Sequence, residues 1–434
     1  LIMGFAFEPK WYAREPAETF WLRDDTVVYG NSASARKAAD AFCRRLKVLL
    51  EREWVPTRVR PKQTKNVILF RQGTPRRFLR KLKPGPQALL PAGEAGSPGA
   101  ESFRVEVNHE RIVVEAATAA GFRYGSAALG DMFDLHSTFF TGGTFEDEPA
   151  HPFRAMLLSL AHQYKAPRLG EKRVEIPPFD DFTADLIVER IARMRFNAVV
   201  IDVENAVRYR RLPQIARGHS QPMSVLRDLV RKAKAYGLEV IPKTNFSKSE
   251  KYRHNDWFEP YHRLPDGPEY WRLAGKVMDE LIEVIRPRYY HIGMDEDHRP
   301  TTEYVAAVKA LRDHLSARDV TPIMWLDIDK PYQPEVESKM REALDLLPRE
   351  NLILTHWQYH GRSFNAAGEI RRRGFVTLGA TWKDADATRA FALRGRELGL
   401  AGMIGTVWHQ LTAAQRKTYA DIIDVSGKSF WTGG

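Results

Sequence analysis

Two adjacent carboxylates, Asp295 and Glu296, follow the run Tyr289-Tyr290-His291-Ile292-Gly293-Met294. Breaking a glycosidic bond requires a proton for the departing oxygen and a second group to stabilise positive charge at the sugar carbon, and a carboxyl pair can supply both. Neighbours on a regular strand point to opposite faces, but where a strand ends and the backbone turns, both can reach one pocket. Four tryptophans stand in comparable surroundings: Met324-Trp325-Leu326-Asp327, His356-Trp357-Gln358-Tyr359, Thr381-Trp382-Lys383-Asp384 and Val407-Trp408-His409-Gln410. Flat apolar rings beside carboxylates suit sugars, whose C–H faces pack on aromatics while their hydroxyls need polar partners.

Other chemistries fit less well. His291, Asp295, Asp297 and His298 could be metal ligands, but they lack a spacing such as HExxH, and no metal or other cofactor is expected. There is no GxSxG nucleophile, and the single cysteine, Cys43, rules out a disulfide framework and a cysteine zinc site. The net charge of +11 is local: Arg44–Lys83 carries 14 Lys/Arg against 2 Asp/Glu, and the rest of the chain sums to −1. That run lacks the interleaved aromatics that stack bases, so a solvated face is expected rather than a nucleic-acid partner. No stretch approaches the roughly 18–20 apolar residues that cross a bilayer, so a soluble chain without a membrane partner is expected. The opening Leu1-Ile2-Met3-Gly4-Phe5 lacks a signal peptide's basic leader, which leaves both the cytoplasm and secretion after leader removal open.

The elements that must position these residues form two groups. Residues 1–150 read as a small α/β domain: a helix over Ala33–Glu51, a strand at Val67–Phe70, a Pro/Gly/Ala-rich loop at 84–100, a hairpin at 103–107 and 112–116, and a helix over Gly121–Leu135. Over residues 151–434 short apolar strands alternate with amphipathic helices. Strands are expected near 155–160, 197–203, 238–244, 288–294, 320–327, 350–357, 374–380 and 401–407. Eight strand–helix units predict a (β/α)8 TIM barrel, and no GxGxxG follows a strand to favour a doubly wound sheet. Barrel chemistry sits where strands run into their following loops, and there the acids and tryptophans fall.

These residues resemble glycoside hydrolase family 20, the β-N-acetylhexosaminidases. His291-Ile292-Gly293-Met294-Asp295-Glu296 is similar to the family's H-x-G-G-D-E, and residues 103–125 look like the end of its N-terminal α/β domain. His151-Pro152-Phe153-Arg154-Ala155 resembles its barrel entry. The resemblance implies exo-acting, substrate-assisted retaining hydrolysis of terminal 2-acetamido sugars, with a glycan's terminal N-acetylhexosamine as partner. Glu296 would be the general acid/base, and Asp295 would orient the acetamido group whose oxygen attacks the anomeric carbon. It further implies sugar contacts from Arg154, Asn205, His291, Trp325, Trp357, Trp382, Asp384, Trp408 and Gln410.

The departures fall on the residues that read hydroxyls. The second strand ends in Asp202-Val203-Glu204-Asn205-Ala206 rather than H-x-x-x-D-D, and the third in Pro242-Lys243-Thr244-Asn245-Phe246-Ser247-Lys248 rather than P-E-x-D-x-P-G-H. Trp382 stands where the family has Tyr, and Trp408-His409-Gln410 replaces W-x-E. Lys243 and Lys248 are therefore candidates for reading a sulfated or carboxylated sugar. Two alternatives stay open: a catalytically silent carbohydrate-binding relative of the same fold, and a glycosidase of another barrel family acting on sugars without the acetamido group.

Overall fold

In the computed structural model, which describes residues 7, 11–73, 100–134, 138–161, 176–249, 252–330, 334–361 and 363–434, the chain divides into two units, Leu1–Pro152 and Phe153–Gly434. The first unit contains β1 (Trp11–Arg14), β2 (Phe20–Trp21), β3 (Val27–Gly30), α1 (Ala33–Leu50), β4 (Val67–Gln72), β5 (Phe103–Val107), β6 (Arg111–Ala116), α2 (Ala119–Asp131), β7 (Phe133–Asp134), β8 (Phe139–Phe140) and β9 (Gly143–Asp147). Its main sheet runs β1-β9-β5-β6-β4-β3. The hairpin pairs Val105 with Val114, and Val114 faces α2 at Gly125. Both helices begin at hydroxyl caps: Ser32 accepts from Ala35 N and Thr118 from Gly121 N. Ala35, Ala39, Phe42, Cys43 and Leu46 form the buried stripe of α1. In the basic segment, Arg44, Arg45, Lys47, Arg52, Arg58, Arg60, Lys62 and Lys65 are exposed, and four of them pair with Glu53, Asp24, Asp40 and Glu110. The loop expected at 84–100 lies outside the described residues, apart from Ala100.

The second unit is a closed parallel barrel of eight strands. In chain order its elements are β10 (Phe153–Ser159), α3 (Asp181–Arg193), β11 (Ala198–Asp202), α4 (Met223–Ala235), β12 (Glu239–Lys243), α5 (Pro268–Ile285), β13 (Tyr289–His291), α6 (Thr301–Ser316), β14 (Thr321–Leu326), α7 (Pro334–Leu346), β15 (Ile353–Trp357), α8 (Asn365–Arg372), β16 (Val376–Thr381), α9 (Ala385–Leu398), β17 (Gly402–Gly405) and α10 (Arg416–Thr432). The apolar runs become strands because each is buried on both faces, by the barrel interior and by the helices. Pairing of β17 with β10 closes the ring, Met156 opposite Gly405. The helices turn single apolar stripes inward, as Leu226, Leu229, Val230 and Ala233 do in α4. The TIM barrel read from the alternation is therefore present, with β13 shorter than expected because the backbone turns at Gly293.

Candidate active site

The chain turns sharply beyond β13. Gly293, Met294 and Glu296 have φ of +73°, +72° and +52°, the left-handed region that a strand never uses. Gly293 is required there: a Cβ would lie 2.1 Å from Asn245 Oδ1. That close approach lets Asn245, just past β12, brace the turn. Its Oδ1 accepts from Met294 N and Ser247 N, both at 3.1 Å, while Nδ2 donates to Asp295 Oδ1 at 2.7 Å. The turn thus cancels the strand alternation that would separate the two acids.

Asp295 and Glu296 converge on one imidazole. His254 Nε2 lies 2.9 Å from Glu296 Oε2 and 3.5 Å from Asp295 Oδ2. Burial disfavours the charged imidazole, but the Asp295 charge and the bond to Glu296 outweigh it and raise the His254 pKa. Both carboxylates keep slight exposure, 7% and 9%. Among the described residues these three form the one group whose ligand atoms, all within 4.8 Å of each other, could hold a cation. Their hydrogen-bonded spacing is that of groups sharing a proton. Asp297 and His298 do not join them: Asp297 is buried against Arg299, and His298 is exposed.

A third carboxylate backs the pair. Asp327, fully buried beyond β14, accepts from Glu296 N at 2.5 Å through Oδ2 and from Trp357 Nε1 at 2.7 Å through Oδ1. Burial, then the Asp295 charge, pushes its pKa up to about 7. Lys330 stacks its ammonium 3.7 Å from the Trp357 ring centre and donates to Trp357 O, and burial brings its pKa down to about 8.

The expected aromatic rim forms a chain of touching rings. His291 packs on Trp325 at 4.2 Å and Trp325 on Trp408 at 5.9 Å. Tyr359 then joins Trp408, Trp357 and Trp382, its hydroxyl accepting from Trp408 Nε1 at 3.1 Å. The indole N–H groups of Trp325 and Trp382 and Nε2 of His291 are buried without a hydrogen-bond partner. Burial, aided by the Lys243 charge, holds His291 neutral, its pKa well below the ordinary imidazole value.

The other expected sugar contacts are engaged elsewhere. Arg154 is corrected outright. It is the second residue of β10 and so sits at the barrel's opposite, N-terminal end, where Nε donates to Arg195 O and the guanidinium lies over the Trp431 ring. Asn205 Oδ1 pairs with His219 Nε2 at 3.0 Å. Asp384 caps α9 by accepting from Ala387 N, and Gln410 Nε2 donates to Pro177 O and Leu160 O. Lys243 and Lys248 do not offer unpaired positive charge. Lys243 is buried 2.6 Å from Asp202, its partner across β11 and β12, and Lys248 lies 2.6 Å from Asp266.

Three residues escaped the sequence reading: Asn245, His254 and Asp327. Asn245 and Asp327 stood in quoted strand-end segments, and the strand-end rule alone pointed to them. His254 lies eleven residues beyond the end of β12, where no spacing marks it.

Known proteins share this architecture. Residues 9–148 match glycosyl hydrolase family 20, domain 2. The lacto-N-biosidase of Bifidobacterium bifidum is 22% identical over 320 residues, 67% of this chain but 27% of that protein, so the chain spans about a quarter of that relative's length. The N-acetyl-β-hexosaminidase of Streptomyces plicatus superposes with a TM-score of 0.69 at 16% identity, covering 99% of this chain and 90% of that one. The β-N-acetylhexosaminidase of Bacteroides fragilis gives 0.68 at 16% identity, covering 98% and 89%. The chain thus carries a match to that family's second domain, followed by a barrel of the fold that these hexosaminidases share.

Proposed function

We propose that this chain is an exo-acting β-N-acetylhexosaminidase that hydrolyses terminal 2-acetamido sugars with retention, using the substrate's own acetamido group. The observation that carries the reading is the convergence of Asp295 and Glu296 on His254 beside the tryptophan chain. Asp295, braced by Asn245, accepts the acetamido N–H and makes its carbonyl oxygen a better nucleophile. That oxygen forms a bond to the anomeric carbon while the glycosidic bond breaks, and Glu296 gives its proton to the departing oxygen. Water then attacks the anomeric carbon of the oxazolinium ion, returning its proton to Glu296, and the ring opens to the acetamido sugar. His254 donates to whichever carboxylate carries charge. The partnerless indole N–H of Trp382 is a donor suited to the acetamido oxygen, in the place of the family's tyrosine hydroxyl. No cofactor enters these steps.

A second reading, a carbohydrate-binding relative without turnover, is favoured by one observation: Arg154, Asp384 and Gln410 are committed to structural bonds. Nitrophenol release from aryl β-N-acetylglucosaminide and β-N-acetylgalactosaminide separates the two. Turnover lost in Glu296→Gln and blocked by a thiazoline mimic of the cyclic intermediate supports hydrolysis. Saturable sugar binding with no release in the wild type supports the alternative.

A further inference from the structure

We propose that Asp327 is a positioning residue that ties the general acid to the pocket wall, fixing Glu296 and Trp357 in one geometry. This rests on the hydrolase reading of the site. Asp327 is wholly buried; its two oxygens are divided between two N–H groups, Glu296 N at 2.5 Å and Trp357 Nε1 at 2.7 Å. The first holds a residue in the left-handed region, which costs free energy unless its surroundings enforce it. The second fixes the plane of an indole that Lys330 also clamps, through its ring and through its carbonyl. A carboxylate accepts both bonds only when ionised: a proton on either oxygen turns that acceptor into a donor facing an N–H. The charged groups around it are Asp295, Glu296, Lys330 and, more distantly, Lys339, with the Tyr304 hydroxyl. Burying a carboxylate in that company is costly, and the two N–H bonds offset the cost.

Asp327→Asn tests the idea with little change in shape, because the amide has one acceptor for two N–H groups. Two readouts are needed. In the first, kcat for an aryl N-acetylglucosaminide falls about ten- to a hundred-fold while KM moves less than about threefold, the pattern of an interaction felt in the transition state. In the second, nuclear magnetic resonance of protein labelled selectively with 15N-glutamate or 15N-tryptophan follows the Glu296 amide and the Trp357 indole N–H, assigned by their loss in Glu296→Gln and Trp357→Phe. At least one of the two resonances moves clearly upfield in Asp327→Asn. Trp357→Phe supplies an independent arm if the asparagine variant does not fold: it shifts the Glu296 amide and lowers kcat, whereas a wall residue acting alone would raise only KM. Unchanged resonances, or an unchanged kcat in both variants, overturn the proposal. If the wild type shows no turnover, the hydrolase reading fails by itself. The resonances then still decide whether Asp327 links the two groups.

Discussion

Lys243→Met removes one half of a buried ion pair at the C-terminal ends of β11 and β12, and its cost can be worked out. In the native protein the ammonium lies 2.6 Å from Asp202, both side chains 2% exposed. Burial pushes the Asp202 pKa up even against that attraction, so without Lys243 the carboxylate has no means of staying ionised inside the barrel. It takes up a proton instead. Protonating at pH 7 a group that would titrate near 3.9 in the unfolded chain costs about three pH units, or about 4 kcal/mol. Removing one partner of a buried pair costs about 3–5 kcal/mol in other proteins, an independent figure that agrees. The sign follows from the proton count. The folded variant keeps a proton that the folded wild type releases above its own raised Asp202 pKa, so above that pKa the variant's stability relative to the wild type falls by about 1.4 kcal/mol for each pH unit. Urea unfolding should thus show a destabilisation that is smaller at pH 5 than at pH 7 and reaches at most about 4 kcal/mol. Lys243→Met with Asp202→Leu should recover most of it, because no buried charge remains. A loss that is the same at both pH values, or no loss at all, would refute the reasoning.

Three other outcomes are expected. His254→Phe removes an imidazole whose pKa is raised, so the stabilisation lost, about 1.5–3 kcal/mol, should be full below about pH 6.5 and fade as pH rises through the folded-state value; paired melting curves across pH 5.5–9 measure it. Arg154→Met should cost about 1–3 kcal/mol in unfolding free energy and leave KM unchanged, since its bonds lie at the far end of the barrel; a raised KM with normal stability would restore it to the sugar site. Gly293→Ala puts a methyl group against Asn245 Oδ1 and should lower kcat about tenfold or more by displacing the brace on Asp295; full activity would mean that this contact does not orient the acid.

The barrel was legible because its strands are buried on both faces and its helices on one, two patterns that differ in period and in length. The acid pair and the aromatic rim were legible for the same reason: strand ends in such a fold are functional positions. Arg154 shows how that rule guards against error. The strand was expected to begin at residue 155, so a side chain at 154 stood before it and could not reach the far rim; resemblance overrode the geometry. Asp202 and Lys243 were each visible at the ends of adjacent strands, and in-register pairing makes them neighbours. Lys243 was nevertheless read as a free charge, because its role was judged along the chain rather than across the sheet. Asn245, His254 and Asp327 owe their roles to a left-handed turn that no local pattern announces, and such backbone belongs to functional sites.

The touching rings from His291 through Trp325, Trp408 and Tyr359 to Trp382 have a bearing on redesign. Each ring leans on the next, so resizing one shifts the seat of its neighbour, and the effects of substitutions along the row will not sum. Changing what this pocket accepts therefore calls for libraries that vary several of these positions at once. Single-site scans would pass over productive combinations whose intermediates fit no ligand.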